Sequence, residues 1–271
     1  MHVEKSVNMS NIKLIIVDLD DTLLRRDKSI SAYSKKIIAD IRKQGIRFAF
    51  ASARGGTDAD IIIAENLFDA YIKFNGSRVF ADEKCVRQYL MHPEILMPFL
   101  QELNRNGIPV VVEVEKVRYA NFNPDEKGIK LGNVEITDYS NNQNRPCISG
   151  SADKMFALLS SDNDIAIIQK ALPDSFRLQT SRDAFAMVMH KDATKSNGMR
   201  QLAAYYGMEL SEVLAFGDDV NDIDMLKTAG KGIAMGNAVP EVKAIASEIC
   251  LSNEDDGVAK WIEQNIRTLS L

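Results

Sequence analysis

The chain reads as an α/β protein: a Rossmann-like parallel sheet core interrupted by an inserted α+β cap domain. Three observations predict this. Short apolar runs alternate with helical patterns at both ends of the chain, as parallel strands joined by helices require. Between about Ala81 and Met189 that rhythm gives way to closely spaced strands suited to antiparallel pairing. Acidic and glycine-rich clusters fall at the ends of the apolar runs, which is where an open α/β sheet binds ligands. The expected division is a core of 1–80 plus 190–271 and an insert of 81–189.

Ile12 to Val17 predicts the first strand, Ser31 to Gln44 a helix closed by Gly45, and Ile46 to Ala51 a second strand; glycine suits the residue just past a helix end. Thr57 to Leu67 predicts a helix and Ala70 to Phe74 a third strand. Asn75-Gly76 then signals a turn into Arg78 to Phe80. In the insert, Pro93 to Asn106 predicts a helix with proline in its first turn. Ile108 to Glu115 and Val117 to Asn121 predict an antiparallel pair, and Asp138 to Asn144 a polar loop. Met155 to Leu159, Ser175 to Thr180 and Ala184 to His190 read as strands, with a helix over Asp164 to Ala171. The parallel rhythm returns with helices at Lys195 to Tyr206, Asn221 to Thr228, Pro240 to Ala246 and Gly257 to Arg267, and strands at Val213 to Phe216 and Lys231 to Met235.

With 271 residues, 45% apolar and 26% charged, the chain is long enough for two domains with cores of their own. A net charge of −5 and the lack of a basic stripe argue against a nucleic-acid partner. Cys85, Cys147 and Cys250 are scattered, which predicts neither a disulfide framework nor a zinc site and suits a reducing compartment. Met1 to Asn11 reads as a frayed terminus without a signal sequence, and no apolar run reaches the roughly 18 residues of a membrane span. A cytoplasmic location with no membrane partner is expected.

Four features converge on the strand ends. Asp18-Leu19-Asp20-Asp21-Thr22 closes the first strand, and its two carboxylates at i and i+2 face one way. Ser52 follows the second strand and leads into Ala53-Arg54-Gly55-Gly56. Lys195 opens a helix, where the macrodipole disfavours a cation unless an anion is near. Gly217-Asp218-Asp219-Val220-Asn221-Asp222 follows a buried strand. Taken singly, each has a plainer reading as a cap, a turn or a solvated charge. Their order on one sheet edge favours chemistry. His92 and His190 read as structural residues, Gly230-Lys231-Gly232 as a strand bounded by turns, and Tyr119 as packing.

In that order, DLDDT, a hydroxyl residue, an isolated lysine and GDDVND resemble the haloacid dehalogenase (HAD) superfamily of phosphohydrolases. Asn75-Gly76 and Ala234-Met235-Gly236-Asn237-Ala238, with the large insert, resemble its Cof-type branch with an α/β cap (class IIB). The resemblance covers the chain from about Ile12 onward. Ser52-Ala53-Arg54 departs from the usual Thr-Gly-Arg: the hydroxyl is kept, and Ala53 adds a Cβ where backbone approaches phosphate. Arg54 is a candidate phosphate or substrate contact.

The residues suit that chemistry in their own right. A carboxylate that attacks phosphorus divides one hard displacement into two easier ones, which assigns Asp18 as nucleophile. Asp20 is the expected acid and base, a task that calls for a pKa raised toward neutrality, with Thr22 orienting it. Ser52 and Lys195 are expected to bind the phosphate, together with Asn221, which would hydrogen-bond a ligand carboxylate or the Lys195 ammonium. Carrying the family pattern onto matching positions implies Mg²⁺ held by Asp18, Asp218 and the Asp20 backbone carbonyl, with Asp222 in the outer shell and Asp219 a weaker candidate. The expected reaction is Mg²⁺-dependent hydrolysis of a small-molecule phosphate ester, a sugar phosphate first among candidates, through an aspartyl-phosphate. A phosphomutase of the same fold and a non-catalytic phosphate-ligand binding protein are the alternatives.

Overall fold

The computed structural model describes residues 11–139, 148–180 and 185–266. The leader, most of the expected polar loop from Asp138 to Asn144, Cys147, the strand start at Ala184 and the last residue of the helix expected to reach Arg267 lie outside those residues. The chain divides into two compact units. The first takes the residues through Arg54, Ala59–Gln88 and the chain from Thr194 onward; the second takes Gly55–Asp58 and Tyr89–Ala193.

The first unit opens with β1 (Leu14–Val17), four buried aliphatic residues, then α1 (Ala32–Lys43), β2 (Arg47–Ala51), α2 (Gly56–Ile63, of which the residues through Asp58 fall in the second unit), β3 (Ala70–Lys73), β4 (Arg78–Ala81) and β5 (Lys84–Gln88). Ser31 caps α1 by accepting from the Ser34 N–H, and Gly45, at φ +85°, follows its end as expected. β5 carries the core sheet past the expected break near Ala81. Its Lys-Cys-Val-Arg-Gln sequence is exposed along most of its length, so it has no alternation to read.

The second unit holds α3 (Pro93–Arg105), β6 (Val110–Val114), β7 (Val117–Ala120), β8 (Val134–Ile136), β9 (Lys154–Leu158), α4 (Asp162–Ala171), β10 (Phe176–Thr180) and β11 (Phe185–His190). Its six-stranded sheet runs β10-β11-β9-β6-β7-β8, antiparallel except for the β7–β8 pair. Its own core gathers Leu96, Phe99, Leu100, Val112, Tyr139, Met155 and Val188. The plainer readings of its aromatic and histidine residues hold: Tyr119 is buried with its hydroxyl on Ser149, and the His190 ring stacks on Tyr89.

The chain then returns to the first unit as α5 (Lys195–Tyr205), β12 (Val213–Gly217), α6 (Ile223–Thr228), β13 (Lys231–Ala234), α7 (Pro240–Lys243), β14 (Glu248–Ile249) and α8 (Gly257–Asn265). The eight-stranded sheet has the order β14-β13-β12-β1-β2-β3-β4-β5, parallel from β14 to β3 and antiparallel beyond. β1 therefore lies between β12 and β2, with Val17 level with both Phe216 and Phe50. Three successive carboxyl ends meet there, at the point where the strand order reverses, the usual ligand position in such sheets.

One glycine fixes the site from behind. Gly76, at φ +111°, sits in the β3–β4 turn, and a Cβ there would strike the backbone of Thr194, the residue that caps α5. Gly76→Ala is expected to lower the unfolding free energy by about 2–4 kcal/mol, combining a left-handed backbone with overpacking. A urea midpoint equal to that of the unsubstituted protein would refute it.

Candidate active site

β1 contains no polar residue, so Asp18 is the first side chain the strand can offer to solvent or ligand. Its N–H still donates to Phe216 O at 3.0 Å, which keeps Asp18 in the ladder. The chain then turns sharply: Asp21 adopts φ +57°, and the N–H groups of Leu23 and Leu24 return to Leu19 O. β12 ends at Gly217, where a Cβ would lie 2.5 Å from Cβ of Asp222. Glycine thus lets the Asp218–Asp222 turn fold back on its strand. Asp222 accepts at Oδ2 from the backbone N–H groups of Asp218 and Asp219, at 3.0 and 3.2 Å. Asp219 caps the turn through the Val220 N–H, a structural task.

Lys195 is the first residue of α5, its helix capped by Thr194, and it is 1% exposed. Its Nζ donates to Asp18 Oδ1 and Asp222 Oδ1, both at 2.6 Å. Two carboxylates therefore answer the unfavourable placing of a cation at a helix start. Burial pulls the ammonium toward losing its proton, and Asp18 and Asp222 more than reverse that, so Lys195 stays charged. Burial raises the Asp18 carboxyl well above the ordinary range, Lys195 opposes, and Asp222 and Asp218 add to the rise. Asp218 is pushed up to about 7 by burial, against a hydrogen bond from Thr22 Oγ1 at 2.7 Å and with Asp222 raising it further.

Asp18, Asp218 and Asp222 bring oxygens within 4.8 Å of one another. Lys195 contacts two of the three, Asp18 and Asp222, and Asp218 is met by the Thr22 hydroxyl, so the cluster holds more carboxylates than cations. Hard oxygen donors with surplus negative charge fit a small divalent cation.

Asp20 is placed differently from the expectation. Arg54 grips it twice, Nε to Oδ2 at 2.7 Å and NH2 to Oδ1 at 2.6 Å, and Lys28 Nζ adds a bond to Oδ1 at 2.8 Å. Burial would raise its pKa, but these bonds outweigh it and hold the carboxyl down to about 2. The raised pKa expected for this residue is therefore absent here, because two cations the sequence did not pair with it stabilise its charge. Thr22 also departs from expectation: its hydroxyl orients Asp218 and not Asp20. Asn221 reaches neither a ligand carboxylate nor Lys195; its amide donates to Asn75 Oδ1 at 3.2 Å.

Ser52 is buried at the end of β2. Its Oγ accepts from the Arg54 N–H at 3.1 Å, which leaves the hydroxyl hydrogen to donate. The Ser52 carbonyl accepts from the Asn75 N–H, and the Arg54 carbonyl from the Phe74 N–H, lacing this loop to the β3–β4 turn. The structure thus gathers Asp18, Lys195, Asp218 and Asp222 directly, with Thr22 in contact, and forms a neighbouring Asp20–Arg54–Lys28 group. Lys28 was missed: it lies on a loop with no period or motif to mark it.

Comparison with known proteins gives this Rossmann-like core its class, the phosphoric monoester hydrolases. The chain belongs to the haloacid dehalogenase-like hydrolases, whose family model matches residues 15–262. It is 26% identical to the Bacillus subtilis putative phosphatase YkrA over 253 residues, covering 93% of this chain and 97% of that one. It is 27% identical to the 5-amino-6-(5-phospho-D-ribitylamino)uracil phosphatase YitU of the same organism, covering 93% and 96%. Among solved structures, the HAD subclass IIB sugar phosphatase BT4131 shares the fold, with a TM-score of 0.77 at 23% identity, covering 93% and 98%. No helix among the described residues is long and apolar enough to cross a membrane.

Proposed function

We propose that this hydrolase is a Mg²⁺-dependent phosphatase acting on a small phosphorylated metabolite, a sugar or sugar-alcohol phosphate, through an aspartyl-phosphate on Asp18. The observation that carries the reading is the cluster of three carboxylates with the ammonium of Lys195 bonded to two of them. YitU is named for a phosphoribityl substrate and BT4131 as a sugar phosphatase, which supports the choice of substrate class.

Asp18, Asp218 and the Asp20 carbonyl would hold Mg²⁺, with Asp222 behind them, and the bound ion would neutralise charge between the phosphate oxygens and the carboxylates. Asp18 Oδ attacks phosphorus as the ester oxygen departs with its electron pair. Once Arg54 and Lys28 turn to the phosphoryl group, Asp20 takes a proton from solvent, gives it to that oxygen, and then takes one from the water that cleaves the acyl phosphate. Lys195 and the Ser52 hydroxyl donate to the equatorial oxygens as charge spreads over them. Asp222, fixed by two backbone N–H groups, holds Lys195 in place. Arg54 and Lys28 keep Asp20 ionised until another anion competes for them, and the dianionic phosphoryl group of the substrate is such an anion.

The test is a phosphate-release assay over sugar phosphates, sugar-alcohol phosphates and nucleotides, with Mg²⁺ and with excess EDTA. Turnover of the first two groups should vanish in EDTA and return with Mg²⁺. Undiminished turnover in EDTA refutes the metal assignment. Isomerised phosphosugar without free phosphate would make the protein a mutase, and binding without turnover a phosphate-ligand binding protein.

A further inference from the structure

The stretch Met235-Gly236-Asn237-Ala238 has no part in the roles above, yet its asparagine reaches the turn that carries Asp20. Asn237 Nδ2 donates to the backbone carbonyl of Asp21 at 2.7 Å, across 216 residues of sequence. Asn237 Oδ1 accepts from the Asn253 N–H at 3.0 Å. Asn253, whose side chain is buried, passes its own amide on to Leu24 O at 2.9 Å. Two further bonds extend the grip: the Arg26 N–H donates to Glu254 Oε1 at 2.7 Å, and Arg25 NH2 to Asp256 Oδ2 at 2.8 Å. Residues Asp21, Leu24, Arg25 and Arg26 are thus held by Asn237 and the 253–256 segment.

The base of this clamp is rigid. The Gly236 N–H donates to Leu251 O at 3.1 Å, and a Cβ on Gly236 would lie 2.9 Å from the Ser252 nitrogen. Lys243 Nζ caps the Gly236 carbonyl at 2.6 Å. The object it holds is the turn whose Leu23 and Leu24 N–H groups return to Leu19 O. Asp21 sits at φ +57°, a conformation that costs a non-glycine residue energy and persists only where neighbours fix it. Asp20 directly precedes that residue, and Arg54 and Lys28 hold its carboxyl. Asn237 is itself exposed, so the core does not require its side chain.

We propose that Asn237, braced by Asn253, is a positioning residue that aims the Asp20 carboxyl at the departing oxygen of the substrate by fixing the Asp21 carbonyl. The inference rests on the assignment of Asp20 as the proton donor.

The experiment compares kcat/KM for an alkyl phosphate, whose alkoxide must be protonated to leave, with that for p-nitrophenyl phosphate, whose nitrophenolate leaves without a proton. Both are measured at saturating Mg²⁺. Asn237→Ala should lower the alkyl value by about 10–100-fold and the nitrophenyl value by less than about 3-fold, within the range of general acid catalysis. Its melting temperature should stay near that of the unsubstituted protein. Asn237→Asp keeps the acceptor for Asn253 but cannot donate to Asp21, and should show the same selectivity. Asp20→Asn is the reference. If Asp20→Asn is selective for the alkyl ester and Asn237→Ala lowers both substrates equally or neither, the positioning role is overturned and the acid assignment stands. If Asp20→Asn itself affects both equally, the acid assignment fails and this inference goes with it.

Discussion

Asp18→Asn should leave a folded protein with turnover reduced by about 10⁴-fold or more, the scale on which enzymes lose a covalent nucleophile. The amide oxygen is a poor nucleophile toward phosphorus, so no aspartyl-phosphate forms. The fold should tolerate the change because Asn matches Asp in shape and β1 is held by its aliphatic side chains. Lys195 keeps Asp222 as a partner at 2.6 Å. The substitution also removes one of three crowded carboxylates. The unfolding midpoint in urea should therefore stay close to that of the unsubstituted protein, or rise. Retained hydrolysis in this variant would sink the assignment of Asp18.

Lys195→Met should be damaging in both stability and activity. Methionine nearly matches the lysine stem, so the change removes a charge without opening a large cavity. Asp18 and Asp222 would then face one another without the ammonium that contacts both. Removing one partner of a buried ion pair typically costs about 3–5 kcal/mol, because a charge is left buried and uncompensated. In metal-free protein the loss should be largest at neutral pH and shrink in acid. The sign follows from the upward shift of Asp18: a carboxyl whose folded pKa lies above its unfolded value destabilises the fold when ionised, and the penalty lifts as the group protonates. Hydrolysis should fall by about 10²–10³-fold with the loss of a donor to the phosphoryl oxygens. Urea denaturation at two pH values and kcat/KM check the two parts separately. Stability and kinetics both unchanged would remove Lys195 from the site.

The sequence was a good guide wherever a segment's chemistry was local. β1, β2, β12 and β13 are short apolar runs next to breaker residues, and all were expected within one or two residues. β5, β8 and β14 were not, because Lys84–Gln88, Val134–Ile136 and Glu248–Ile249 are exposed along most of their lengths and take their conformation from the strand beside them. α7 stops at Lys243, before the expected end at Ala246, and the helix expected from Asn221 begins only at Ile223, after a tight turn at Val220–Asp222. Asp222 occupies that turn with its side chain folded back on the preceding N–H groups.

Among the site residues the same division applies. DLDDT, Lys195 and GDDVND declared themselves by residue type and position, since carboxylates and a lone lysine at strand ends and helix starts have few structural uses in combination. Their partners did not. Thr22 on Asp218, Asn221 on Asn75, Arg54 and Lys28 on Asp20, and Asn237 on Asp21 are each one hydrogen bond among several a side chain of that kind can make. A motif specifies which groups arrive at the sheet edge, because strand periodicity and buried apolar runs are written into consecutive residues. Which of those groups touch, and therefore which carboxyls rise and which fall in pKa, is set by distances of a few ångströms between segments as much as 231 residues apart. Only the packed fold fixes those distances.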